Sequence, residues 1–314
     1  MKFVQVEVST RCQLSCFMCP HTIFRRDWIN TDMDLETFKK IPFENFDFAH
    51  LQGWGEPLLN PNMGEMIEIA KKYCKVGLTT NGLLIDEFNE IERLDYLAVS
   101  IASADEEKHK RIRKCSLEEL KEKIKAVSSK VPVTLAFMML RDTYHELPRI
   151  VEIAKEVGAK EVIANNLDYI PSKELESQAI FLQSVDEKPI EVAKIKAEKL
   201  GIKLTVKPTK MEEVLVCAEN PINNCLITYN GQITPCVYLH LPTKSDKIVR
   251  VFKGKVLEIE KVYFGEVWEK KSWKRYSNFR KIFERRKSFM LSLLPTEIPP
   301  LPEPCKTCYK AYGV

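Results

Sequence analysis

The chain has 314 residues, 45% of them hydrophobic, and a formal net charge of +4 from 48 basic and 44 acidic residues. That length suffices for one large domain and a smaller one, and the near balance of charge removes any need for a polyanion, so nucleic acid is not an expected partner. No apolar run approaches the roughly 18 residues of a membrane span, and MKFVQVEVS leads into a strand pattern without a charged-then-apolar leader; the expectation is a cytoplasmic protein with no membrane partner.

From residue 2 to about 208, strand-like and helix-like segments alternate. FVQVEV is the first predicted strand, followed by a cysteine loop and a helix at 35–41. FAHLQGWG (48–55) reads as the second strand and leads to a helix at 61–73. KVGLTTN (75–81) and YLAVSIA (96–102) are the third and fourth strands, and LEELKEKIKAVSS (117–129) has helical spacing with charges four apart. VPVTLAFMML (131–140) is the fifth, then HELPRIVEIAKEVG (145–158) is a helix closed by glycine, and EVIANNL (161–167) is the sixth strand. An irregular stretch at 169–187 leads to a long helix ending near 201 and a last strand, IKLTVK. Strand-then-helix repeated about six times predicts an α/β fold, a partial (β/α)6 barrel with a parallel sheet. Chemistry in such folds sits in the loops at the C-terminal strand ends. Cys12, Gly53–Pro57, Thr80–Gly82, Ser100 and Arg141 all fall there.

Residues 209–314 differ in character, and a boundary near 209 divides the barrel (1–208) from a small cysteine-rich domain. This part holds CLITYNGQITPC, which reads as a hairpin around an Asn-Gly turn, a basic aromatic helix, and a proline-rich run from Pro295 to Pro304. In the helix, Trp273, Tyr276, Arg280 and Phe283 recur at helical spacing, which predicts inward packing rather than a nucleic-acid face.

Ten cysteines are the anomaly. In a reducing cytosol, clustered thiols are better read as metal ligands than as disulfides. Cys12, Cys16 and Cys19 form one group; Cys217, Cys225, Cys236, Cys305 and Cys308 form another. Cys74 and Cys115 stand alone and read as small buried side chains. In the first group, Cys12-x3-Cys16-x2-Cys19 offers three thiolates where a closed structural site takes four. His21 is the one available fourth ligand for zinc, but the paired spacing usual for zinc is absent. Three thiolates leave one iron of a four-iron cluster open to an outside ligand.

The cysteine spacing, just after the first strand, resembles the signature of the radical S-adenosylmethionine superfamily. GWGEP (53–57) is similar to that family's Gly-Gly-Glu-Pro segment, with Trp54 in place of the second glycine, and TTNG (79–82) matches the end of its third strand. RDTYHELPRIVEIAKEVGAKEV (141–162) is close to its fifth strand–helix unit. The resemblance implies a [4Fe–4S] cluster on Cys12, Cys16 and Cys19 and S-adenosylmethionine chelating the open iron. It implies contacts to that cofactor from Gly53, Gly55, Glu56 and Pro57, from Asn81 and Ser100 to the ribose, and from Arg141 to the carboxylate or ribose. The family's Ser-x-Asp at the fourth strand is Ser100-Ile101-Ala102 here, and Met18 stands where many members carry an aromatic.

Thirteen residues separate Cys217 from Gly231 and four separate Gly231 from Cys236. This spacing, the FGEVWEKKSW run and the Pro-Cys-x2-Cys ending resemble the superfamily's auxiliary-cluster extension (the twitch or SPASM domain). The resemblance implies a second [4Fe–4S] cluster on Cys217, Cys236, Cys305 and Cys308, with Cys225 as neighbour or substitute; structural zinc on the same four thiols is the rival. The activity implied is reductive cleavage of S-adenosylmethionine to a 5′-deoxyadenosyl radical that abstracts a substrate hydrogen, with an external one-electron donor such as ferredoxin. Tyr238-Leu239-His240 and the FGEVWEKKSW run most resemble maturases linked to tungsten-cofactor oxidoreductases. Peptide, protein or tetrapyrrole modification on the same scaffold is the alternative, and a non-catalytic iron–sulfur carrier is the alternative of another class.

Overall fold

Seven stretches of β-branched and aliphatic residues form parallel strands: β1 (Phe3–Val6), β2 (Phe48–Leu51), β3 (Lys75–Thr80), β4 (Tyr96–Ile101), β5 (Val133–Met139), β6 (Glu161–Asn166) and β7 (Lys203–Val206). The computed structural model describes residues 2–289 and 298–314; residues 295–297 of the proline-rich run lie outside the described residues. Each strand pairs with the next in chain order. Right-handed crossovers between sequential neighbours place every connecting helix on one face, so the other face becomes the inner wall of an open barrel.

The alternation along the strands shows which side is which. Leu97, Val99 and Ile101 of β4 and Val133, Leu135, Phe137 and Met139 of β5 are buried outward, in one core with Leu120, Ile124, Ile150 and Val151 of the helices. The intervening residues, Ala98, Ser100, Ala136 and Met138, line an inner cavity instead. The helices are α1 (Pro20–Ile23), α2 (Leu35–Lys39), α3 (Met63–Lys71), α4 (Glu106–Arg113), α5 (Leu117–Val127), α6 (Leu147–Glu156) and α7 (Lys188–Leu200). Their ends follow local chemistry: Asp105 caps α4 by accepting from the Lys108 amide at 2.8 Å, and α7 stops at Gly201 with φ +68.

The C-terminal residues extend this sheet. β8 (Asn224–Ile227) pairs in parallel with the free edge of β1, and β9 (Ile233–Thr234) folds back on it as the expected hairpin. Gly231, at φ +79, occupies the turn, where an added Cβ would stand 2.7 Å from the Trp268 ring. A second hairpin, β10 (Lys247–Phe252) with β11 (Lys255–Glu260), was not legible as a strand pair. α8 (Lys270–Ser288) buries Tyr276 and Phe283 as its spacing predicts. Between β4 and α5, α4 was likewise missed by sequence reading.

Candidate active site

The loop after β1 carries the first cysteine group and is fastened on several sides. Glu56 donates its amide to the Arg11 carbonyl at 2.7 Å, and the Arg11 guanidinium pairs with Asp32 at 2.5 Å. Cys19 donates its amide to the Cys16 carbonyl at 3.1 Å, and Phe17 donates to the Ile112 carbonyl of α4 at 3.1 Å. All three thiols line a single cavity of about 560 Å³ at the C-terminal mouth of the strands. Burial pushes the Cys12 thiol up and the Cys19 thiol up to about 12. Ligation requires thiolates, so a metal or a nearby cation must offset that cost.

The GWGEP segment is a packing device as well as a cavity wall. A Cβ on Gly55 would lie 2.5 Å from the Ser9 carbonyl oxygen and 2.6 Å from that of Arg11, and one on Gly53 would lie 2.2 Å from Glu7 Cγ. Only glycine lets the two loops approach so closely. The Glu56 carboxylate accepts from the Thr80 hydroxyl at 2.7 Å, the Asn81 amide at 2.7 Å and the Leu58 amide at 3.1 Å. It is 2% exposed, and burial raises its pKa, against the pull of those donors. Glu56 therefore clamps the loop after β2 to the end of β3. Pro57 is buried behind it at the start of a short turn of helix and does not reach the cavity.

Gly53, Gly55, Glu56, Asn81 and Ser100 line the cavity with the three cysteines and Met18. Arg141 does not. Its side chain is exposed and donates to Gln183. Arg113, the last residue of α4, lines the cavity together with Lys207 and Lys310, and sequence reading passed over all three. The usable signal was the burial spacing of His109, Ile112 and Arg113 within a charged run. Cys115, expected to be an inert core thiol, sits 3.7 Å from His109 Nε2 and close in charge terms to Arg113.

The second cysteine group assembles from three distant segments. Cys217, Cys236, Cys305 and Cys308 line one small apolar pocket with Leu239, Phe283 and Ala311. Cys225 is 3% exposed within β8 and lines an adjoining pocket, beside Gln5, His50 and Cys236, rather than the one the four thiols share. Burial pushes the Cys217 thiol up to about 12 and raises Cys308 as well. Glu219, Tyr238 and Lys310 line this pocket and the larger cavity alike, forming the wall between them. In that wall Tyr238 donates to Asp168 at 2.8 Å, and Lys310 pairs with the same carboxylate. His240 is buried, bonded to Glu7 at 2.7 Å and to the Tyr263 hydroxyl at 2.7 Å. It braces β1 against the C-terminal region. Among the described residues no three His, Cys, Asp or Glu side chains converge closely enough to hold a single metal ion.

Residues 6–154 match the family model described as Radical SAM superfamily. Those residues form a Radical SAM domain. Such a domain implies a [4Fe–4S] cluster and S-adenosylmethionine. It is 28% identical to the tungsten-containing aldehyde ferredoxin oxidoreductase cofactor-modifying protein of Pyrococcus furiosus, over 89% of this chain and 83% of that one. A Methanococcus maripaludis protein described as "Probable GTP 3′,8-cyclase" is 26% identical over 74% of this chain and 84% of its own. The fold superposes on the structure of anSMEcpe with bound AdoMet and Cp18Cys peptide with a TM-score of 0.61, at 15% identity, covering 99% of this chain and 96% of that one. No helix among the described residues is long and apolar enough to cross a membrane.

Proposed function

We propose that Cys12, Cys16 and Cys19 hold the radical-generating cluster and that the chain abstracts hydrogen from a substrate during maturation of a cofactor or enzyme, of the tungsten-cofactor type. The observation that carries the reading is the convergence of three thiols from one loop, the glycine cradle and the Asn81 and Ser100 side chains on one cavity. When bound, the cluster and S-adenosylmethionine supply a 5′-deoxyadenosyl radical through one-electron cleavage, driven by an external donor such as ferredoxin.

The chain's own residues have separable tasks. Gly53 and Gly55 let the backbone close over the cofactor's amino-acid end, and Asn81 and Ser100 offer hydrogen bonds to its ribose. Met18 is 6% exposed and supplies an apolar surface at the cavity wall for the adenine. The inner barrel wall of Ala98, Ala136, Met138 and Ile163 excludes water from the reacting centre. Cys217, Cys236, Cys305 and Cys308 fit an auxiliary [4Fe–4S] cluster: the four thiols line one pocket. Residues 209–314 then form a unit built around that cluster and docked on β1. The maturation reading draws on the breadth of the match to the Pyrococcus protein.

The test uses anaerobically reconstituted protein, wild type against a Cys12/Cys16/Cys19→Ala triple variant. About eight irons in the wild type should fall to about four in the variant, with 5′-deoxyadenosine release under dithionite abolished. Zinc at both sites, or no nucleoside from fully loaded wild type, would return the chain to the carrier reading.

A further inference from the structure

α8 carries more net positive charge than the chain as a whole. It holds nine basic residues and one acidic one, a net +8, whereas the chain totals +4, so everything outside this helix sums to −4 (48 − 9 basic, 44 − 1 acidic). These charges also run against the helix's own electrostatics. A helix N-terminus is a partial positive pole that favours acids. α4 accordingly begins with Glu106 and Glu107 and α5 with Glu118 and Glu119, but α8 begins with Lys270 and Lys271 and has no acid in its first turn. Lys270 with Lys274, and Lys281 with Arg285, are like charges four apart, which repel across one turn. Local stability does not select such a helix.

At about 3.6 residues per turn, Lys270, Lys274, Lys281 and Arg285 fall on one ridge about 22 Å long. All four are exposed, and among the described residues none has an ion-pair partner; the pairs made by α8, Lys271 with Glu269, Arg280 with Glu284 and Arg286 with Glu213, use other cations. The opposite face is packed and fixed. Tyr276 donates its hydroxyl to the Pro221 carbonyl at 2.8 Å, and buried Arg286 donates Nε to the Leu215 carbonyl at 3.0 Å. Phe283, on that face, lines the pocket of Cys217, Cys236, Cys305 and Cys308. The cationic ridge therefore stands one helix thickness, about 10–12 Å with side chains, outside the four thiols.

We infer that this ridge is the docking surface of an acidic one-electron carrier protein, which meets the chain beside the second cysteine group. Unpaired cations on a rigid support complement a negative partner and steer its approach. A ridge of this length suits the small interfaces of redox encounters, which bury less than about 1,200 Å². Nucleic acid fits less well: no aromatic residue of α8 is exposed for base stacking, and the rest of the chain is net negative. The choice of carrier rests on the reading that the four thiols hold a cluster; the carrier is then oxidised by one electron and that cluster reduced by one.

The experiment compares reconstituted full-length wild type with a Lys270/Lys274/Lys281/Arg285→Glu variant, using a reduced acidic [4Fe–4S] ferredoxin as the probe. Binding is read by calorimetry and oxidation of the probe by stopped-flow absorbance, at low salt and at about 1 M salt, where the screening length is about 3 Å. At low salt the variant should lose about tenfold or more in affinity and in rate, and the two proteins should converge at high salt. Iron content and dithionite-driven nucleoside release should match, because a small reductant needs no docking surface. A Lys270/Lys274/Lys281/Arg285→Gln variant, expected to lose less, takes the place of the reversal if that one fails to fold. A folded variant that binds the ferredoxin as wild type does overturns the proposal, as does a wild type that binds none at low salt. Tighter binding of a mixed-sequence RNA than of the ferredoxin, lost in the variant, overturns it too. Ferredoxin binding through the ridge in a wild type with iron on the first cysteine group alone removes the auxiliary-cluster reading and leaves the docking surface standing.

Discussion

The two cysteine groups are made of the same side chain and do opposite work in the architecture. The first comes from one loop, eight residues from Cys12 to Cys19, and opens on a cavity of about 560 Å³. The second draws on segments up to 91 residues apart (308 − 217) and closes on itself under Phe283 and Leu239. Three thiols on a loop held by rigid strands leave room for a ligand and stitch nothing together. Four thiols from three segments act as a cross-link, because closing a long loop removes much of the freedom of the unfolded chain. The number of segments that contribute ligands, more than the number of ligands, separates a reactive site from a fastening one.

The strongest way to break this comparison is to remove each group in turn and watch stability. A Cys305/Cys308→Ala variant should lose about four irons and several kcal/mol of stability, by analogy with the roughly 4.7 kcal/mol of chain entropy for a 100-residue cross-link. Limited proteolysis should then release the C-terminal turn, which otherwise bonds back to Glu212 and Val214. The Cys12/Cys16/Cys19→Ala variant should unfold within a few degrees of wild type. Equal destabilisation by both would erase the distinction.

A sharper probe leaves every ligand in place. Gly55→Ala drives a Cβ to 2.5 Å from the Ser9 carbonyl oxygen, so the cysteine loop must shift. Overpacking of this kind costs about 1–3 kcal/mol. We expect retained iron with a KM for S-adenosylmethionine raised about tenfold, the equivalent of 1.4 kcal/mol. A variant with unchanged KM would show that the cradle does not position the cofactor.

Acid should loosen the barrel half through two buried histidines. Burial lowers His50 to about 4 and lowers His109 to about 4, the latter aided by the neighbouring Arg113 charge. Each is depressed below its ordinary value near 6.5, so the neutral form is the one the fold holds. Their contribution is fully present above pH 6.5 and is lost as pH falls toward 4, on the order of 3 kcal/mol apiece. Denaturant titrations at pH 7 and pH 4.5 on wild type and His50→Gln should show a smaller acid loss in the variant. An identical loss would remove His50 from the account.

The smallest effect belongs to the residue the structure moved out of the site. Arg141→Ala should leave stability within about 0.5 kcal/mol and nucleoside release unchanged in a coupled assay. A large loss of activity would return Arg141 to the cofactor.

Much of the barrel was legible because its strands and helices announce themselves locally. Period-two burial marks β6 and the C-terminal halves of β4 and β5, and the glycine at 201 ends α7 where the pattern stops. α4 was hidden because its sequence, EEKHKRIR, is almost wholly charged, and only three of its residues face inward. The β10–β11 hairpin was hidden because β11 alternates weakly and lies exposed. The cysteine loop and GWGEP could be read as partners from their places at strand ends, yet the clamp made by Glu56 on Thr80 and Asn81 required three-dimensional register.

The sequence by itself determined the strand order of the barrel, the grouping of the thiols and the chemistry that three cysteines and a glycine-rich loop imply, since these depend on spacing along the chain. Tertiary structure alone decided which cations line the cavity: Arg113, Lys207 and Lys310, and not Arg141. It alone left Cys225 outside the pocket that the four thiols share and made one thin wall of Glu219, Tyr238 and Lys310 between the two sites. The reason is physical: a side chain's direction is set by local periodicity, but the partner it meets is set by which distant segment packs against that face.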